Sequence, residues 1–224
     1  MKPPHNLADL PFAADLRVFD GVLELDGDYD RVRFSGSAFS GVVAGGSRFA
    51  ESAFTGVTFD GGRLRRARMS DVWFSETRFV ALDIAESSWT DAWLTGCVLA
   101  GVQAFAGVLR RVTFRGCKLD SVNFRDCSLT DVAFEDCVLR DADFGGAKLT
   151  RVLFGGSTLS EADFTKVTCE DVDLRGATLG GGSSGGAGIR AGYDSLRGAR
   201  IDTLQLMTLA PLLAHQLGIT VEDA

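Results

Sequence analysis

Histidine occurs only twice in the 224 residues, as His5 and His215. One lies in the first few residues and the other near the end, and no third residue is evident to complete a nucleophile–base–orienter arrangement with either. Asp and Glu are plentiful, but they fall at solvated turn positions without a pocket that would tune them for acid–base work. The five cysteines follow no CxxC pattern, which excludes the usual zinc spacings. No apolar run approaches the roughly 20 residues of a membrane-spanning helix. Cationic excess is also missing: 23 Lys and Arg stand against 30 Asp and Glu, a net charge of −7. Non-specific nucleic-acid binding runs on Lys and Arg neutralising phosphates, so direct contact with nucleic acid is not expected. Met1–Asp9 is polar and contains Pro3 and Pro4, so no signal peptide is read there. These absences predict a cytoplasmic, non-enzymatic protein with no cofactor, no metal and no membrane contact.

What is present is a repeat. Between Val108 and Phe164 a large apolar residue returns every five positions, giving the ladder Phe114, Leu119, Phe124, Leu129, Phe134, Leu139, Phe144 and Leu149. A small residue sits two places before each, among them Val112, Cys117, Val122, Cys127, Val132 and Cys137. The frame runs back to Phe34 and on to Leu179 without an insertion, and only Ala44 and Ala104 are undersized. Cys97, Cys117, Cys127 and Cys137 occupy the small position and Cys169 the large one, which reads as cysteine used as a small buried apolar residue. A period of five fits neither a helix nor a plain strand. The chain must instead turn a corner once per repeat and send the same two side chains inward each time. The residues between them are Gly, Ser, Thr, Asp, Asn and Arg, which suit tight turns. Stacked coils then bury a continuous core that no single coil could bury alone.

The segments ADFGG (142–146), ADFTK (162–166) and VNFRD (122–126) resemble the A(D/N)LXX signature of the pentapeptide-repeat family, over about 150 residues from Val32 to Leu179. The resemblance implies a right-handed quadrilateral parallel β-helix with four pentapeptides per 20-residue coil. At a rise of about 4.8 Å per coil, seven to eight coils make a rod of roughly 35 Å. Sorted by twenty, Phe34, Phe54, Phe74, Leu94, Phe114, Phe134 and Phe154 form one inner column, and Leu99, Leu119, Leu139 and Leu159 fall in the next. Cys97, Cys117 and Cys137 stack in a third column, where parallel side chains are poorly placed for a disulfide.

The outer columns carry the information about partners. Glu51, Asp71, Asp91, Arg111, Asp131, Arg151 and Asp171 read as a surface ion-pair ladder in which each Arg lies between two acids. Gly36, Gly56, Gly96, Gly116, Gly156 and Gly176 read as turn glycines with positive φ. Trp73 and Trp93 lie one coil apart in an outward column and are expected to stack on the surface, with Phe105 also outward, as a candidate partner surface. Phe105 could alternatively fold over the gap left by Ala104. Asp83 and Glu86 lie one coil above Arg63 and Arg66, so the cluster Arg63, Arg65, Arg66 and Arg68 is expected to be neutralised rather than to bind phosphate.

Three segments follow from this reading: 1–30 as an irregular cap or first coil, 31–201 as the repeat β-helix, and 202–224 as a helical cap. Gly180–Gly188 reads as either a loop or a decayed last coil. In the last segment Asp202 and Gln205 make a capping box, and Pro211 is expected to kink or split the helix. The tail resembles those of actinobacterial pentapeptide-repeat proteins, which implies a homodimer joined end to end through Leu206, Leu209, Leu212, Leu213 and Leu217. Physically, a Leu-rich helix covers the open sheet edge of the last coil, and a surplus apolar face recruits a second copy. The resemblance extends to gyrase-binding fluoroquinolone-resistance proteins, whose acidic rods mimic duplex DNA. The leading expectation is a protein-interaction rod of unidentified partner, and the alternative is a DNA-mimicking modulator of DNA gyrase.

Overall fold

The computed structural model describes residues 4–179, 189–216 and 218–220. Its geometry starts at the corners. Every fifth residue from Asp26 to Gly176 has a left-handed backbone, with φ between +43° and +75°. Glycine enters this region freely, whereas other L-residues pay roughly 1–2 kcal/mol. Yet Asp, Glu, Arg, Ser, Ala and Lys also occupy these corners. Burying two inward side chains per pentapeptide, at about 25 cal/mol per Å² of apolar surface, outweighs the strain.

The corners fold the chain into a right-handed, four-sided parallel β-solenoid of the predicted class. Strands Arg48–Thr55, Arg68–Ser75, Ser88–Thr95 and Val108–Arg115 run round one corner and so belong to two faces. They pair in parallel with a 20-residue step, setting Phe54 beside Phe74, Leu94 and Phe114 in turn. Short strands from Ala38–Ser40 to Lys118–Asp120 make the third face. Parallel bridges linking Val43, Arg63, Asp83, Gln103, Asn123, Asp143 and Asp163 make the fourth.

All eight ladder residues from Phe114 to Leu149 are buried. The rings stack from coil to coil, with centroids 4.4 Å apart for Phe34–Phe54 and Phe54–Phe74 and 5.1 Å for Phe134–Phe154. The packing has a flaw at Ala104. An apolar void of about 20 Å³ lies between Ile84, Trp89, Ala104, Leu109, Phe114 and Phe124. Phe105 does not fill it, because its ring lies outside under the Arg65 guanidinium, 5.5 Å from the centroid.

The N-terminal segment divides in two. Arg17 pairs with Val32, a 15-residue step, so the coil formed by residues 17–30 is one pentapeptide short. Phe19 nevertheless packs its ring on Phe34, at 4.5 Å. Ahead of it, two 3₁₀ turns, Leu7–Asp9 and Ala13–Asp15, lie flat on the outside of the rod.

At the other end, Gly180–Gly188 lies outside the described residues. Ile189 returns to the core, and Ala191 and Arg200 bridge to Asp163 and Asp173. Helix α1, Thr203–Gln216, then crosses the last coil. The expected capping box is formed. The Asp202 N–H donates to Gln205 Oε1 at 2.8 Å, and the Gln205 N–H donates to Asp202 Oδ1 at 2.9 Å. Gln205 Nε2 also donates to the carbonyls of Leu174 and Ala177, sealing the open edge. Pro211 does not split the helix, which is continuous through it. The missing N–H costs only the bond to the Met207 carbonyl, one turn back on an exposed residue.

Candidate functional site

A packed solenoid keeps its chemistry on the outer columns and at its ends. The tryptophan column is the first surprise. Trp73 and Trp93 are in register on adjacent strands, as expected, but they are not on the surface. They are 3% and 8% exposed, because Leu10 and Phe12 of the N-terminal segment close over them, with Leu7, Ala13 and Leu16 at the margins. The expectation of a bare Trp73/Trp93/Phe105 patch is therefore corrected. The indoles are covered by the chain itself, and half-buried Phe105 belongs to a different surface, beside Arg65. A sequence signal for the cover existed: Leu7, Leu10 and Phe12 precede the five-residue frame and have no inward position to fill.

The arginine cluster also differs from expectation. Asp83 and Glu86 are taken by Arg65, at 3.8 and 2.5 Å, not by Arg63 and Arg66. The reason is geometric. Arg65 projects at the corner between the two acids, whereas Arg63 lies in the same bridge column as Asp83 and its side chain points to solvent. Among the described residues Arg63, Arg66 and Arg68 form no ion pair. With Arg65, Asp26 and Glu86 they line an open groove of about 760 Å³.

The acid–base ladder is real but directional. Arg111 grips Asp91 with two bonds of 2.7 Å, and Arg151 grips Asp131 with bonds of 2.6 and 2.8 Å. Each Arg takes the acid one coil before it rather than sharing two. The guanidiniums hold Asp91 and Asp131 below the usual carboxylate range. Asp71, between Glu51 and Asp91, has no such partner, and burial, then the charges of Asp91 and Glu51, push it up.

The leucines of α1 sort into two sets. Leu209 is 2% exposed and Leu213 half-buried, both against the last coil. Leu206 and Leu212 face outward, together with Leu204 at 74% and Met207 at 69% exposure. Leu217 lies outside the described residues. Four of the five expected dimer contacts can thus be assigned: two cap the rod and two remain exposed, as do Leu204 and Met207.

The thiols are inert by environment. Cys97, Cys117, Cys127 and Cys137 are free and buried, and burial pushes the Cys127 thiol up to about 12. Among the described residues no group of three or more His, Cys, Asp or Glu side chains could hold a metal ion. Among the described residues no helix is long and apolar enough to cross a membrane.

Two family models match the chain. One, described as a pentapeptide repeat region, covers residues 87–164. The other, described as pentapeptide repeats in eight copies, covers residues 33–71. No curated protein matches. Among solved structures, a trypsin-treated form of QnrB1, a plasmid-mediated fluoroquinolone resistance protein, is 19% identical. That match covers 92% of this chain and 96% of the trypsin-treated chain, with a TM-score of 0.40. HetL, involved in heterocyst differentiation regulation in the cyanobacterium Nostoc, is 17% identical, over 85% of this chain and 93% of its own, with a TM-score of 0.26.

Proposed function

The chain belongs to the pentapeptide-repeat family, and on that premise we propose that it is a non-enzymatic protein-interaction rod that works as a homodimer joined through α1. The observation that carries this reading is the division of the α1 leucines between buried and exposed positions. Leu209 and Leu213 already cover the last coil, yet Leu204, Leu206, Met207 and Leu212 stay exposed on the same helix. A self-capping monomer has no use for that second apolar face, whereas a two-fold contact buries it twice. An untagged copy should co-purify with a tagged one, and Leu206→Glu should abolish retention. Failure of the wild-type chain to co-purify would remove the dimer.

The second reading is a modulator of DNA gyrase, the enzyme implicated by the fluoroquinolone-resistance resemblance. The acids of the first coil, Asp20, Glu24, Asp26, Asp28 and Asp30, favour it. The surface of the rod favours the general interaction rod instead. Its acids are interleaved with arginines in ion pairs along the columns, and the Arg63–Arg68 groove breaks the negative face that a DNA mimic needs. Inhibition of gyrase supercoiling at micromolar protein would support the gyrase reading. No inhibition, with no protection from a fluoroquinolone, would exclude it.

A further inference from the structure

Residues 4–16 lie over the Trp73–Trp93 column in an unusual way. Every hydrogen bond they make among the described residues is internal. Asp9 accepts from the N–H groups of His5 and Asn6, Asn6 Oδ1 accepts from the Ala8 N–H, and the remaining bonds close the two 3₁₀ turns. Among the described residues no ion pair ties this strap to the body. The first bonds to the rod come at Arg17, whose N–H donates to the Arg31 carbonyl and whose Nη2 donates to the Asp30 carbonyl. The strap is therefore a small self-contained unit, held down by Leu10 and Phe12 and hinged at Leu16–Arg17.

What it covers is left incomplete. The Trp73 indole Nε1, on a residue 97% buried, has no acceptor, and neither has Arg33 Nε in the same column. A buried donor without an acceptor is costly, and a permanent cover would be expected to satisfy it. One of the strap's two carboxylates, Asp9, is turned back on its own amides.

We propose that the Arg33–Ala53–Trp73–Trp93 column is a docking surface for a short acidic–apolar peptide segment of another protein, and that residues 4–16 are its in-chain occupant, displaced when the partner binds. The partner supplies apolar anchors in place of Leu10 and Phe12, a backbone carbonyl for the Trp73 N–H and a carboxylate for Arg33. The strap is of the same chemical class, carrying Leu7, Leu10 and Phe12 alongside Asp9 and Asp15, and its advantage is its tether, which raises its effective concentration. The proposal rests on the interaction-rod reading but not on the α1 dimer. The variants below leave α1 intact, so a failure here leaves the dimer standing.

The test uses the full chain carrying Leu10→Ser and Phe12→Ser, which loosens the strap, and a synthetic peptide of residues 7–16, whose Asp9 has no His5 or Asn6 amide to serve. The variant should show red-shifted tryptophan emission and bind the peptide with a Kd on the order of 10 μM. The wild-type chain should bind at least about tenfold more weakly, and so should a peptide with Asp9→Asn and Asp15→Asn bind the variant. Exposed tryptophans with no peptide binding, or equal binding of the neutral peptide, would overturn the proposal. Should the variant not fold, Ala53→Cys in the otherwise wild-type chain reports opening directly, since Ala53 is fully buried beneath the strap. Its thiol should be labelled at least about 100-fold faster than buried Cys117. Labelling at the Cys117 rate would mean that the strap opens only when the rod unfolds, and would also overturn it.

Discussion

At the residue scale the corner position decides most outcomes. Gly116 has φ +59°, and a Cβ added there would meet nothing within 4 Å, so only backbone strain opposes substitution. Gly116→Ala should cost about 1 kcal/mol and Gly116→Val more, because a β-branched side chain fits the left-handed region worst. Urea unfolding of the purified variants checks this, and an unchanged midpoint for Gly116→Val would contradict it. Ala104 is the complementary case. Its column carries Leu64 and Ile84 below and Phe124 above, and the void beside it is lined by apolar side chains except at Ser87. Ala104→Leu should raise stability by about 1 kcal/mol, against a loss if the site cannot accept the extra volume. The corners were legible in the sequence only where they hold glycine. Asp, Glu and Arg at the other corners looked like ordinary solvated turn residues, because packing, not propensity, forces them into the left-handed region.

Two carboxylates give opposite pH dependences. Asp173 is held down to about 2, chiefly by its bonds to the Arg175 guanidinium. Its unfolded value is higher, so it stabilises the fold above about pH 4, and that contribution is lost as the pH falls toward 2. Asp71 is pushed up by burial and by Asp91 and Glu51. It penalises the fold at neutral pH, and the penalty disappears as the folded form takes up the proton on acidification. Asp71→Asn should therefore stabilise the chain at pH 7 and have little effect near pH 3. Asp173→Asn should destabilise it at pH 7 and flatten the acid limb. Thermal unfolding across that range separates the two signs.

At the scale of elements, the repeat was the most legible part of the chain, because one period fixes the coil length, the inner columns and their stacking at once. The capping box of α1 was equally readable, since Asp202 and Gln205 are local. Three elements were not. The strap is local in sequence, but its target is 60 to 80 residues away, so only the unplaced Leu10 and Phe12 hinted at it. The Arg65 pairings depend on which way side chains leave a corner, which column arithmetic does not record. The continuity of α1 through Pro211 depends on a carbonyl that solvent satisfies. The helix seal makes its own prediction. Gln205→Ala would leave the Leu174 and Ala177 carbonyls without their donor, and should lower stability by about 1–3 kcal/mol, detectable as fraying of α1 by circular dichroism before the coils unfold.

At the scale of the whole molecule, the interior is consumed by packing, and function is left to three surfaces: the free face of α1, the strap-covered tryptophan column, and the arginine groove with its neighbouring ion-pair ladders. The α1 face is the one on which the interaction-rod account depends. Sedimentation equilibrium of the full chain at micromolar concentration tests it most directly. The account predicts a particle of twice the 23.9 kDa chain mass, reduced to a folded single chain by Leu206→Glu with Leu212→Glu. A wild-type chain that sediments at 23.9 kDa throughout that range would contradict it.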